Sequence, residues 1–172
     1  MSLKFNAAFW GIVVAQMALL LAIVGVKEFT LRTGTAVTLQ TVPVDPRSIL
    51  QGDFAILQYE IAAVPPRSRD LPRGTTVYVT LVEGEEVWEA QDYSLSRPAG
   101  EEVFIKGTVG SRGLLDFSIG TFFVPEGTGH IIERARDVEV RASVDSRGNA
   151  VIKEVLVDGE PFDPKAEPQT PP

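Results

Sequence analysis

The chain has no cysteine and a single histidine, His130, among 172 residues. Without cysteine there is no disulfide, no thiolate nucleophile, no Cys-ligated zinc and no iron–sulfur centre, and no redox compartment can be inferred. With one histidine a His-rich metal site is excluded, and any Ser-His-Asp triad would have to use His130. Basic residues are outnumbered, 16 Lys and Arg against 23 Asp and Glu, for a formal charge of −7. They are scattered and form no dense cluster. The phosphate-neutralising surface that nucleic acid binding requires is therefore missing. Beyond the N-terminal stretch there is no second apolar run long enough to span a bilayer.

That N-terminal stretch is the most informative segment. From Phe5 to Val26 there is no charged residue, and Asn6 and Gln16 are the only strongly polar side chains. As a helix it is about 33 Å long, enough to cross a hydrocarbon layer of roughly 30 Å. Lys4 precedes it, and Lys27, Glu28 and Arg32 follow it. A cleaved signal peptide is the competing reading, but its apolar region is usually about 7–15 residues, ending in a small-x-small site. Ala22-Ile23-Val24 and Ile23-Val24-Gly25 fit that site poorly, and Gly34-Thr35-Ala36 lies beyond the charged residues. The segment reads as an uncleaved anchor over residues 1–30. Lys4 and the α-amine favour a cytoplasmic N-terminus, whereas Lys27 and Arg32 oppose it. The long β-rich remainder favours a signal anchor in the cytoplasmic (inner) membrane, single-pass, with the domain extracytoplasmic.

Small residues are ordered along this helix. Ala7, Gly11, Ala15, Ala18, Ala22 and Gly25 follow one another at steps of 4, 4, 3, 4 and 3, which places them on one face. In lipid such a face lets a second helix approach closely. Gln16 sits mid-span beside it and could hydrogen-bond across a helix pair. The expected partners are the bilayer and a transmembrane protein or a second copy of the chain. Phe5, Phe9 and Trp10 at one end and Phe29 at the other suit interfacial belts.

The remaining residues suffice for one core and are too few for two comfortable domains. Alternation and β-branching predict strands at 35–42, 53–62, 75–83, 86–93, 103–109, 114–119, 138–144 and 150–157. The 53–62 strand has apolar residues in both phases, so a bulge or a two-sided strand is expected there. Glu83-Gly84-Glu85, Gly110–Gly113, Asp145–Asn149 and Asp158-Gly159 read as turns, and 124–136 suits one or two helical turns. The expectation is a mostly β protein: an N-terminal transmembrane helix, an antiparallel β sandwich or barrel-like domain over 35–160 with one short helix, and a disordered Pro-rich tail over 161–172.

The densest motif is Asp45-Pro46-Arg47-Ser48 followed by Gly52-Asp53-Phe54-Ala55-Ile56-Leu57-Gln58-Tyr59. It resembles the signature of the GDYXXLXY family of membrane-anchored bacterial proteins, with Gly52, Asp53, Leu57 and Tyr59 matching and Phe54 in place of the first Tyr. Phe123-Val124-Pro125-Glu126-Gly127 before Glu133 is similar to that family too. The resemblance implies an envelope protein with an extracytoplasmic domain and implies little chemistry, since the family has no agreed activity or active site. Two readings of the patch stand side by side. In the structural one Gly52 permits a positive φ, Asp53 caps a turn, and Phe54, Leu57 and Tyr59 fill core or edge positions. In the functional one Asp45, Arg47, Asp53 and Tyr59 meet a partner.

The function expected is assembly, as a non-catalytic accessory subunit of a larger membrane complex, with no catalytic residue, metal or cofactor. Two alternatives compete. Gly-Asp-Phe after an anchor also looks like a signal peptidase, with Phe104-Ile105-Lys106-Gly107 similar to the strand bearing that family's lysine. A Ser/Lys dyad needs a hydroxyl beside a desolvated amine, and Ser48 stands too close to Gly52 to match. A β domain could also hold a small ligand as a sensor. His130 and Glu133, with Glu126 nearby, read as a solvated helix face in preference to metal ligands.

Overall fold

The computed structural model describes residues 2–42, 54–65, 71–110, 113–125 and 128–163, without the side chains of residues 2–7, 130, 133 and 134. A helix, α1 (Ser2–Thr33), leads through the single residue Gly34 into β1 (Thr35–Val42). Then come β2 (Phe54–Ile56), β3 (Gln58–Tyr59), a 3₁₀ turn (Glu60–Ala62), β4 (Thr76–Glu83), β5 (Trp88–Ser94), β6 (Phe104–Val109), β7 (Leu115–Phe117) and β8 (Thr121–Phe123). The short helix α2 (Gly129–Arg134), β9 (Val138–Val144), β10 (Ala150–Val157) and β11 (Glu160–Pro161) complete the order.

The strands form a five-stranded sheet, β11-β10-β9-β1-β3, a four-stranded sheet, β5-β4-β6-β7, and a two-stranded ribbon, β2-β8. All pairings are antiparallel. Val37 and Leu39 of β1, Val77, Val79 and Leu81 of β4, Ile105 and Val109 of β6, and Val140, Ala142 and Val144 of β9 alternate into one shared core. This is the period-2 burial that an antiparallel sheet with one covered face demands. The architecture is an N-terminal helix followed by a mostly antiparallel β domain.

Three details differ from the sequence reading. The 53–62 segment is broken at Leu57, and its halves join different sheets: β2 pairs with β8, and β3 pairs with β1. The buried phase is Ala55, Leu57, Tyr59 and Ile61, while Phe54 is half-buried and Ile56 is exposed. β10 carries a bulge between Ile152 and Glu154 that resets its register on β9. The chain also keeps packing past residue 160. Asp158 at φ 51° and Gly159 at φ 84° turn it back into β11, the two positive φ values suiting a tight hairpin. The amide N–H of Phe162 then donates to the Val155 carbonyl at 2.8 Å, and its ring meets Phe122 edge-on at 5.8 Å. Phe162 thus has both a backbone and an aromatic partner; residues 164–172, the rest of the expected tail, lie outside the described part.

Candidate functional site

The motif strand is tied to the segment before β8. Tyr59 is 2% exposed, and its hydroxyl donates to the Ile119 carbonyl at 2.7 Å. Its ring meets Phe117 edge-on at 6.1 Å. Burial pushes the phenol far above its ordinary value, so the hydroxyl stays a donor. Leu57, at 5% exposed, donates its amide to the Gly120 carbonyl at 3.0 Å. β2 lies along β8 with Phe54 opposite Phe123, their rings 6.4 Å apart. Phe54–Ile56 of the first stretch and Phe123 of the second therefore meet in one ribbon. Tyr59 belongs to the core, where it fits the structural reading of the motif, buried and with its hydroxyl already bonded. Asp45, Arg47 and Asp53, together with Gly52 and Ser48, lie outside the described residues. Lys106 is exposed on β6, its amine donating to Asn149 Oδ1 at 3.0 Å.

The second built feature is the joint between α1 and the domain. The Thr30 carbonyl accepts two hydrogen bonds, from the Ser143 hydroxyl at 2.6 Å and from the Gly34 amide at 2.9 Å. Ser143 is wholly buried and Thr30 is 3% exposed, the only buried residue described in α1. The Thr30 hydroxyl bonds back to the Val26 carbonyl at 3.2 Å and approaches Asp145 Oδ2 at 3.4 Å. Gly34 leaves no room for a side chain. A Cβ there would fall on Ser143 Oγ, 2.7 Å from the Thr30 carbonyl oxygen and 2.8 Å from that of Val144. The helix is thus bolted to the end of β9 without a flexible linker.

Asp145 organises the turn beside this joint. One carboxylate oxygen accepts from the Arg147 amide at 2.8 Å and the Asn149 amide at 2.9 Å; the other accepts from Asn149 Nδ2 at 2.9 Å. Burial alone would raise its pKa, but these bonds and the Arg147 charge outweigh it and hold the carboxyl below its ordinary value. Gly148 at φ 80° closes the turn, and the Lys106 amide donates to its carbonyl at 2.8 Å, stitching the two sheets together.

Between the foot of α1, the β5–β6 loop and the β9–β10 turn lies a cleft of about 410 Å³. Phe29 and Thr33 line it from the helix, Arg97, Glu101 and Glu102 from the loop, and Asp145 and Arg147 from the turn. Arg97 donates to the Ser146 carbonyl at 2.8 Å, and its guanidinium carbon stands 5.7 Å from the centre of the Phe104 ring. The cleft assembles from residues far apart in sequence, and no motif announces it.

Up the helix the surroundings change. From Ala8 to Phe29 every residue is exposed except Val13, which is half-buried. The helix is long and apolar enough to cross a membrane over Ala8–Thr33, and the apolar window is 0% buried by the rest of the chain. Gly11, Ala15, Gln16, Ala18, Ala22 and Gly25 all stand uncovered, and nothing lies within 4 Å of a Cβ built on Gly11 or Gly25. Ala7 is helical, with its side chain outside the description.

No curated protein and no solved structure matches this chain. A family model, described as GDYXXLXY protein, matches residues 16–155, which takes in the second half of the helix and nearly all of the β domain. The chain belongs to the GDYXXLXY protein family.

Proposed function

We propose that this protein is anchored by α1 as a single-pass span of the cytoplasmic membrane, with its β domain extracytoplasmic, and that it acts non-catalytically as an assembly or accessory subunit of a larger membrane complex. The observation that carries the reading is the contrast along α1. Its foot is fixed by Thr30, Ser143 and Gly34, while the face bearing Gly11, Ala15, Ala18, Ala22 and Gly25 is left bare. A helix bare on its small-residue face offers close backbone approach to a second helix, which is what drives association in lipid. A partner gripping that face would also orient the domain, because no loose linker intervenes.

Two experiments test this. A reporter active only in the cytoplasm, fused after Phe162, should stay silent; a bright signal reverses the topology. Co-purification in mild detergent, followed by mass spectrometry, should identify a membrane partner whose yield falls in Gly11→Leu or Ala15→Leu and holds in Leu20→Ala. Equal yields in all three would remove helix packing as the mode of association.

A further inference from the structure

We infer that the cleft at the foot of α1 is a phospholipid headgroup site, taking the phosphate on Arg97 and Arg147 and an amine-bearing headgroup against Glu101 and Glu102. The inference rests on the reading of α1 as a membrane span.

Depth is the first argument. The uncharged run ends at Val26, and Phe29 and Thr33 lie three and seven residues further on. That is roughly 5 and 10 Å along the helix axis. The polar layer of a bilayer occupies about 5–8 Å beyond the hydrocarbon on each side. A cleft walled by Phe29 and Thr33 therefore opens at the level of the headgroups.

Chemistry is the second. Among the described residues neither Arg97 nor Arg147 stands within ion-pair distance of a carboxylate; the ion pairs found there are Arg32–Glu28 and Arg141–Glu154. Arg97 is held in place by Nη2 donating to the Ser146 carbonyl and by the Phe104 ring beside its guanidinium carbon. The remaining N–H groups are free to fork onto a phosphate. Arg147 presents a second guanidinium from the adjoining turn, its charge already felt by Asp145. Glu101, Glu102 and Asp145 share the lining. Asp145 already accepts hydrogen bonds from Arg147 and Asn149 of its own turn, which leaves Glu101 and Glu102 to face a ligand, and a lining with three carboxylates against two arginines suits a zwitterion better than a headgroup with net negative charge.

The third argument is Leu95. It is 61% exposed at the start of the same loop, two residues before Arg97. A large apolar side chain uncovered beside a headgroup-level cleft is suited to dip into the acyl boundary. The volume, about 410 Å³, lies in the range of small-molecule sites.

The test uses the full chain in nanodiscs of mixed phosphatidylethanolamine and phosphatidylglycerol, released into mild detergent for native mass spectrometry. Retained phosphatidylethanolamine, about one per chain, is the expected result, reduced roughly tenfold in Arg97→Gln/Arg147→Gln, as loss of two charge-assisted contacts requires. Arg141→Gln, outside the cleft, should retain lipid normally. Glu101→Gln/Glu102→Gln should shift retention towards phosphatidylglycerol. If Arg97→Gln disturbs folding by losing Phe104, Arg147→Gln alone, from an exposed turn, still carries the comparison. Equal retention in the parent and the arginine variants overturns the site, as does preference of the parent for phosphatidylglycerol. A parallel titration with inorganic phosphate separates the sources: saturable phosphate binding with no retained lipid would make this a soluble-phosphate site and overturn the lipid assignment. A chain that does not enter nanodiscs removes the span reading and this inference with it, whereas a chain that enters but shows no arginine-dependent lipid removes the inference alone.

Discussion

Substituting Gly34 probes the joint on which the function proposed above depends. A Cβ at residue 34 meets Ser143 Oγ and two carbonyl oxygens, those of Thr30 at 2.7 Å and Val144 at 2.8 Å. The hydroxyl can rotate away, but the carbonyls belong to the end of α1 and the end of β9 and cannot yield without moving those elements. Overpacking of this kind costs about 1–3 kcal/mol. Separating helix from strand also breaks the Ser143–Thr30 bond, worth about 0.5–1.5 kcal/mol net. Gly34→Val should therefore weigh on the joint by about 2–4 kcal/mol, with Gly34→Ala in the same direction and smaller.

The core can escape that cost, because α1 contributes to the β domain only near its foot. Once the helix swings away, Ser143 gains water and the sheets keep their contacts. The expected outcome is a loosened helix on a folded domain. Absence of cysteine makes the measurement clean, since introduced cysteines take spin labels without background. Labels at Leu20→Cys on the exposed helix and Lys153→Cys on the exposed bulge of β10 report the helix-to-domain distance in detergent or nanodiscs. The unsubstituted joint should give a narrow distribution and Gly34→Val a broad one, with thermal unfolding of the domain only slightly lowered. A distribution already broad with Gly34 in place would refute the rigid joint; one equally narrow in Gly34→Val would refute the steric argument.

Three further outcomes follow from the same geometry. Tyr59→Phe keeps the ring contact with Phe117 but leaves the Ile119 carbonyl without its donor, so thermal unfolding should fall by several degrees, for a loss of about 1–2 kcal/mol. Glu139 has its carboxyl pKa raised, first by burial and then by Asp137 and Glu86, against the opposing pull of Arg141. Its folded state holds the proton more tightly than the unfolded chain, so its contribution is lost as pH rises through the window just above the ordinary carboxylate value; Glu139→Gln should stabilise the domain at neutral pH and change little in acid, seen as a crossing of the two melting-versus-pH curves. Asp145 has the opposite sign: its stabilisation is present above the unfolded value and disappears as pH falls through its lowered one, so Asp145→Asn should cost stability at pH 7 and almost none in strong acid.

Much of the fold was legible because alternation and turn chemistry are local. β1 has the bounds that its β-branched alternation indicates, and the 75–83/86–93 and 138–144/150–157 pairs hydrogen-bond as read. Among the described residues the eight expected strands become eleven, by the break at Leu57 and by the short β8 and β11. At the break, side-chain size misleads: small Ala55 points inward with Leu57 and Tyr59, while the larger Phe54 and Ile56 point outward, since only the neighbouring sheet decides which phase is covered. In the motif, the apolar half could be read as core, and the polar half of the partner reading, Asp45, Arg47 and Asp53, lies beyond the described residues.

The joint and the cleft were not legible, for a physical reason. Thr30 and Ser143 are separated by 113 residues, and each alone is an ordinary small polar residue. Nothing in a local window distinguishes a buried hydroxyl aimed at a helix terminus from one facing water. The same two residues fix how α1 is joined to the β domain. A helix joined through several flexible residues would transmit little of its orientation to the β domain. Here the only intervening residue is Gly34, and its amide, the Ser143 hydroxyl and the Thr30 carbonyl fix the direction in which α1 leaves β1. On the proposed function, a partner that turns α1 would turn the cleft, the Arg97 loop and the Asp145 turn with it, and the proposed helix packing and headgroup contact would be mechanically one event. Gly34→Val should uncouple them: helix association set by Gly11 and Ala15 survives, because the small face is untouched, while lipid retention in the cleft falls, because the Phe29–Thr33 wall no longer stands against the loop. Loss of both together, or retention of both, would show that the joint does not do the coupling.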